Sequence, residues 1–225
     1  MWCIPPKQNS AFVAAMEDVL DLCTQPFDAN FPTICMDEKP YQLLKDIRPP
    51  LPSKAGSVEK VDNEYKREGT CSIFMFNEPL GGWRHVHAGE RRTKVDWAYE
   101  IKELLITHYP DVPKVRLVCD NLNTHVVSFL YEAFSAVEVR GLAERLEIYY
   151  TPKYGSWLNV AEFELSVLSR QCLGRGIDRL DVLNEPVFAW ERERNASQRG
   201  VDWQFTTADA RIKLKRICPT PHFIQ

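Results

Sequence analysis

The chain moves between short apolar runs and helical apolar spacing, and the order of the two defines a fold class. Residues 9–23 carry helical spacing behind a capping Asn9 or Ser10. Phe31 to Met36 is an apolar run that predicts the first strand. Residues 40–69 are polar, rich in proline and charge, and lack a strong period. They read as a long insertion loop, and loops of that length in compact domains are usually functional or mobile. Thr70 to Phe76 predicts a second strand. Gly81-Gly82 marks a turn, and Trp83 to Ala88 predicts a third strand that closes a hairpin. Residues 93–108 form an amphipathic helix, with Trp97, Ile101, Leu104 and Leu105 on one face. Val115 to Cys119 is a fourth strand, followed by helices at 125–134 and 136–145. Leu146 to Tyr150 is a fifth strand. Helices are then expected at 156–173, 179–197 and 207–216.

Three locally joined strands must be antiparallel, whereas strands separated by helices can run parallel. The expected architecture is therefore α/β, a ribonuclease-H-like mixed sheet of three antiparallel strands followed by parallel ones, flanked by helices. The organisation expected along the chain is an N-terminal linker and helix at 1–30, a catalytic domain at 31–175 and a C-terminal helical extension at 176–225.

Composition narrows this picture. At 225 residues the chain can bury a sizeable core without disulfides. Its apolar runs are too short to span a membrane, and Met1 to Lys7 lacks the pattern of a signal peptide. These features place the protein in the cytoplasm, with no membrane partner. The seven cysteines are scattered and form no C-x-x-C pair, so they read as reduced structural residues. A net charge of −3 counts against a self-sufficient DNA-binding protein. Basic residues nevertheless cluster at Arg91, Arg92 and Lys94 and at Arg211, Lys213 and Lys215. Each cluster is either a solvated helix end or a phosphate contact.

Candidate chemistry lies in three acidic positions. Asp37 and Asp120 each end an apolar strand, and Glu162 sits in a helical pattern. In the expected topology the first and fourth strands are neighbours, so Asp37 and Asp120 meet and the last helix brings Glu162 alongside. Hard divalent cations take oxygen ligands, and two ions about 3.5–4 Å apart suit in-line displacement at a phosphodiester. Without metal, three close carboxylates repel, and at least one pKa should rise. Taken singly, each acid could simply cap a turn or helix.

Several neighbours have more ambiguous roles. Strand alternation sends Glu38 away from Asp37, toward a structural salt bridge. Glu164 lies about 200° round the helix from Glu162, so both cannot face one metal. Asn159 shares the face of Glu162 and either positions a ligand or caps the helix. His125 either contacts phosphate or is structural. His85 and His87 share one strand face and, without a third ligand nearby, read as surface residues.

Longer blocks carry a resemblance. They are Trp2 to Pro6, Asp37-Glu38, Tyr65 to Thr70, Gly82 to Val86, Asp120 to His125, Tyr150 to Asn159, Ala161-Glu162, Ser169 to Leu173 and Trp203 to Arg211. Together they resemble the catalytic domain of bacterial insertion-sequence transposases related to the mariner superfamily. The resemblance implies an Asp-Asp-Glu triad at Asp37, Asp120 and Glu162, holding two Mg2+ or Mn2+ ions. Asn121, His125 and Asn159 would support it, and Lys153 would join the basic clusters in DNA binding. It also implies cleavage of double-stranded DNA at element ends, then strand transfer into a TA target by a homodimer in the bacterial nucleoid. The 40–69 segment falls where mariner relatives clasp a partner subunit. Such relatives carry helix-turn-helix segments ahead of the Trp2 to Pro6 block. That implies a separate DNA-binding subunit or reading-frame product. The stretch from Asp120 to Glu162 is longer than in many mariner relatives.

Two other readings compete. An inactive or accessory transposase remnant would keep the fold and bind DNA or partner transposase without metal chemistry. An aspartate-nucleophile phosphatase needs D-x-D at the first strand, and Lys39 stands at the third place.

Overall fold

The computed structural model describes residues 7, 9–48, 51–58, 64–122, 124–174 and 176–219. The Trp2 to Pro6 block and Asn123 lie outside the described residues. Five strands form one sheet in the order β3-β2-β1-β4-β5. They are β1 (Thr33–Asp46), β2 (Tyr65–Glu78), β3 (Trp83–Gly89), β4 (Val115–Asp120) and β5 (Leu146–Thr151). β1 to β3 pair antiparallel, while β4 runs parallel to both β1 and β5. This is the mixed sheet that the element order requires.

Alternation along β1 and β2 splits the core in two. Cys35, Cys71, Ile73, Met75 and Val118 face one side, where α1 (Ser10–Cys23), α5 (Val160–Cys172), α6 (Leu180–Ser197) and α7 (Thr207–Lys213) pack. Ile34, Met36, Phe74, Phe76 and Leu117 face the other, under α2 (Lys94–Glu103) and α4 (Ala136–Glu144), with the short α3 (Leu130–Ala133) beside them. Helix α1 starts where its cap predicts, with the Asn9 side chain accepting from Phe12 N at 2.9 Å. The six described cysteines are free, and burial pushes the Cys35 and Cys119 thiols up, so they pack as small apolar groups. No described helix is long and apolar enough to cross a membrane.

The segment expected as a loop at 40–69 is strand at both of its ends. β1 and β2 stay paired out to Asp46 and Tyr65, forming an arm beyond the core. Residues 65–70 are exposed, so the arm lacks the apolar alternation that marks a half-buried strand. Its register shifts between Leu43 and Leu44, opposite Gly69, whose φ of 135° other residues rarely adopt. Four expected helices are also modified, among them 156–173, where residues 156–158 are a 3-10 turn, Asn159 is extended and the α-helix begins at Val160. Residues 104–108 form a π turn at the end of α2, residues 127–129 are a 3-10 turn before α3, and α7 stops at Lys213.

β3 would be an open sheet edge, a template for unwanted pairing. Helix α6 covers it with side chains at helical spacing. Asn195 accepts from Arg84 N and donates to Arg84 O, both at 2.7 Å. Glu191 accepts from Val86 N at 2.7 Å, and Asn184 bonds both backbone groups of Ala88 at 3.3 Å. The helix thereby stands in for a sixth strand.

Candidate active site

Pairing of β1 with β4 sets Cys35 beside Val118. Two residues further along each strand, alternation returns to the same face, so Asp37 and Asp120 emerge together on the α5 side. Parallel pairing stops after Cys35, and Asn159 takes over there. Its side chain donates to Met36 O at 2.8 Å and accepts from Ala161 N at 3.1 Å. One buried amide thus caps α5 and ties it to β1 beside Asp37. Glu162 follows in the first turn, where the helix dipole favours a carboxylate. Asn159→Ala removes the cap, worth about 1 kcal/mol, and strands a buried carbonyl, worth about 1–3 kcal/mol. A loss of about 2–4 kcal/mol in urea denaturation is expected.

An open groove of about 400 Å³ runs between β1 and α5, lined by Asp37, Lys39, Glu162, Ser166, Ser169 and Arg170 among others. Glu162, Ser166, Ser169 and Arg170 recur at i, i+4, i+7 and i+8, one face of the helix. Lys39 donates to Ser169 Oγ at 2.7 Å and bridges the two walls. Sequence reasoning passed over Lys39 and Arg170 as site residues. The signal was present in the two-residue strand spacing from Asp37 and the helical spacing from Glu162.

Electrostatics register the convergence. Burial pushes the Asp37 carboxyl up to about 7. A hydrogen bond from Glu38 N (2.8 Å) works against the rise, while the charges of Asp120, Glu162 and Glu38 add to it. The three carboxylates of Asp37, Asp120 and Glu162 do not all close within 4.8 Å of one another. Burial holds one carboxyl near neutrality and two neighbouring acids add to the shift, a set of hard oxygen donors that fits divalent cations such as magnesium or manganese.

Glu38 points to the opposite face, as alternation requires. Its carboxylate is almost fully buried and meets His125 Nε2 at 3.1 Å and Arg92 at 3.5 Å. His125 Nδ1 lies 2.6 Å from Asp120 Oδ1 and 3.2 Å from Asp120 O. The N–H direction suits the carbonyl, and Oδ1 is held beside the ring as an ion pair without an aligned hydrogen bond. Tyr150 donates to His125 O at 2.7 Å, and Trp97 stacks on the ring at 5.7 Å. Burial alone would lower the His125 pKa. Asp120, Cys119 and Glu38 outweigh it and push the value up to about 12, so the ring is an imidazolium. His125 is wholly buried between two carboxylates, so it braces Asp120 and does not face the groove.

Glu164 is sequestered. It receives Arg84 at 2.8 Å and Arg194 at 3.1 Å inside the protein. Arg84 is itself buried and also donates to Gly82 O and Arg199 O.

The basic candidates divide. Arg92 stands beside the site on Glu38, and Arg91, Lys153 and Lys215 are exposed. Lys94 pairs with Glu132 at 2.6 Å and lies over the Phe129 ring. Arg211 makes a two-pronged pair with Glu17 at 2.8 and 2.9 Å, which ties α7 to α1, and Lys213 lies over Phe205. Asn121 is exposed just past Asp120.

Residues 32–184, more than half of the chain, match the family described as DDE superfamily endonuclease, and the chain belongs to that family. Among solved structures it is similar to the Mos1 mariner paired-end complex with Mn. The TM-score is 0.55 at 14% identity, over 87% of this chain and 60% of that one. The Mos1 strand transfer complex gives the same values. The isolated catalytic domain of Mos1 mariner transposase gives a TM-score of 0.51 at 10% identity, over 89% of this chain and 100% of that one. At these identities the likeness establishes a shared fold, the ribonuclease-H-like sheet of such catalytic domains. The chain spans 60% of the length of the Mos1 chains in the two complexes. No curated protein sequence is significantly similar to it.

Proposed function

We propose that this protein is a transposase catalytic domain that performs metal-dependent DNA strand cleavage and strand transfer. The observation that carries the reading is the convergence of Asp37, Asp120 and Glu162 at one end of β1, β4 and α5, felt in the raised Asp37 pKa. Asp37, Asp120 and Glu162 would hold two Mg2+ or Mn2+ ions. Ions bound there supply activation of the attacking oxygen and stabilisation of the leaving oxygen. The chain's own residues do the rest. Asn159 fixes the distance from α5 to β1, and His125 with Glu38 holds Asp120. Lys39 and Arg170 place positive charge beside the groove, where a phosphodiester backbone would lie.

The partner is double-stranded DNA, in keeping with the paired-end and strand-transfer complexes of the Mos1 neighbours. Element ends and a TA target follow from the mariner resemblance, as does a bacterial insertion sequence as the source. A homodimer is part of the same reading. The β1–β2 arm projects beyond the core and exposes Ile47, Leu51 and Val58, apolar side chains suited to a partner subunit. Residues 31–175 would be the catalytic unit and 176–225 its helical extension. Helix-turn-helix segments that choose the DNA would come from elsewhere in the protein or from a separate chain.

The test is nicking of DNA carrying the element ends, with magnesium or manganese present or chelated. Cleavage is expected only with metal and is lost in Glu162→Gln. Glu164→Gln leaves Arg84 buried without its counter-charge and costs about 3–5 kcal/mol of stability, yet it keeps metal-dependent cleavage per folded molecule. Absent cleavage by the wild type on its own element ends would overturn the reading in favour of an accessory protein, and metal-independent cleavage or equal effects of the two substitutions would remove the acidic triad from the reaction.

A further inference from the structure

We propose that His85, Glu103 and His108 form a second metal site, separate from the acidic triad, for a borderline divalent ion such as zinc. His85 lies on β3 and faces the end of α2. There the helix widens into its π turn, closed by Tyr109 N donating to Leu104 O at 3.0 Å. Such turns are frequent at functional sites. The wider turn sets the His108 ring against that of His85, with centroids 4.4 Å apart. Glu103 Oε1 stands 4.0 Å from His108 Nε2. One ligand atom from each of the three residues lies within 4.8 Å of the other two, and among the described residues no other such set occurs.

The second observation is an unmet need for partners. Both ring nitrogens of His85 and Nε2 of His108 are buried without a hydrogen bond. Buried polar atoms in native proteins nearly always have one, and an ion, a water or a site function accounts for most exceptions. His87, on the same strand face, shows the contrast, because its Nδ1 meets Glu100 at 2.5 Å. A bound ion would satisfy one nitrogen on each of His85 and His108. Glu191 Oε2, 3.4 Å from His85 Nδ1, is placed to orient that ring from behind, as carboxylates behind metal-binding histidines do. Trp83 packs on both rings and shields the site.

The donor set selects the ion. Two imidazoles and one carboxylate suit zinc, with a fourth position open to water, whereas magnesium prefers oxygen alone. Ligands around zinc stand about 3.3 Å apart in a tetrahedron. Glu103 is about half exposed (49%) and free to swing inward by the remaining distance. An ion here would fasten the end of α2 to β3.

Cobalt(II) reports this directly, because four- or five-coordinate cobalt absorbs far more strongly in the visible than the hydrated ion. Untagged full chain is titrated with cobalt chloride, then with zinc. One equivalent should develop intense visible bands that zinc abolishes, and zinc should raise the melting temperature. Glu103→Gln, at a half-exposed position, and His108→Gln should each weaken binding at least ~10-fold. The triple variant Asp37→Asn, Asp120→Asn, Glu162→Gln gives up cobalt bound by the acidic triad but should develop the same intense bands, with the same midpoint, as the wild type. Absence of the bands, undiminished binding in Glu103→Gln, or loss of the bands in the triple variant would overturn the proposal.

Discussion

Asp37→Asn is expected to reduce metal-dependent strand cleavage about 10³-fold while making the metal-free protein more stable at neutral pH. The two effects share one cause. Asp37 is buried beside Asp120 and Glu162, and its carboxyl titrates near 7 in place of its ordinary 3.8. A raised pKa means that the folded state holds the proton more tightly than the unfolded chain. The stabilisation is complete below about pH 4 and drains away as pH rises toward 7, after which the anion is carried at a cost. Three pKa units correspond to about 4 kcal/mol. Solvent reaches part of this carboxyl, so about 1–3 kcal/mol is the expected gain for the neutral amide above pH 7. Asparagine can still accept the Glu38 N–H, so the backbone keeps its geometry. The loss of activity follows because an amide is a poor ligand for a hard cation, and a deficit of about 4 kcal/mol at the transition state is about 10³ in rate.

Denaturation with and without manganese separates the two effects. Manganese should stabilise the wild type and leave Asp37→Asn nearly unmoved. Near pH 7, metal binding to the wild type should also release about half a proton from Asp37, seen by calorimetry in buffers of different ionisation heat. A variant less stable than wild type without metal at pH 8, together with unchanged proton release, would remove Asp37 from the site.

Much of this arrangement was legible before any coordinates, and the part that was not has a physical explanation. Sheet order followed from local hairpins and helical crossovers, and strand ends located two carboxylates. Alternation alone put Glu38 and Asp37 on opposite faces, and helical phase separated Glu162 from Glu164. What escaped was structure held by the backbone. The β1–β2 arm is exposed along β2 and only half-buried along β1, so hydrogen bonding continues where side-chain pattern stops. The covering of β3 by Asn184, Glu191 and Asn195 also leaves no apolar signal, because the contacts are polar and lie about 100 residues apart in sequence. His85 and His108 come from different elements, β3 and the π turn after α2, so no single periodicity pairs their rings.

His125→Gln is expected to cost about 3–5 kcal/mol and to weaken metal binding and cleavage by about 10–100-fold in the molecules that remain folded. The imidazolium is enclosed between Glu38 and Asp120, and its removal leaves two carboxylates facing a buried gap with Arg92, at 3.5 Å from Glu38, as compensation on one side only. With a pKa near 12, the ring keeps its charge throughout the neutral range. The stabilisation it gives is complete below about pH 6.5 and drains away as pH rises toward 12, because the unfolded chain releases a proton that the folded protein keeps. Wild-type stability should therefore fall between pH 7 and 9 through this group, and His125→Gln should show a flatter profile there. Glu38→Gln in the same protein removes one of the stranded charges, so the double variant should recover about 1–3 kcal/mol of the loss. It should recover little of the metal affinity, because Asp120 still lacks the group that orients it. That split distinguishes a brace for the acidic site from a simple buried ion pair, whose repair would restore both. Equal recovery of stability and affinity in the double variant would assign His125 to the core alone.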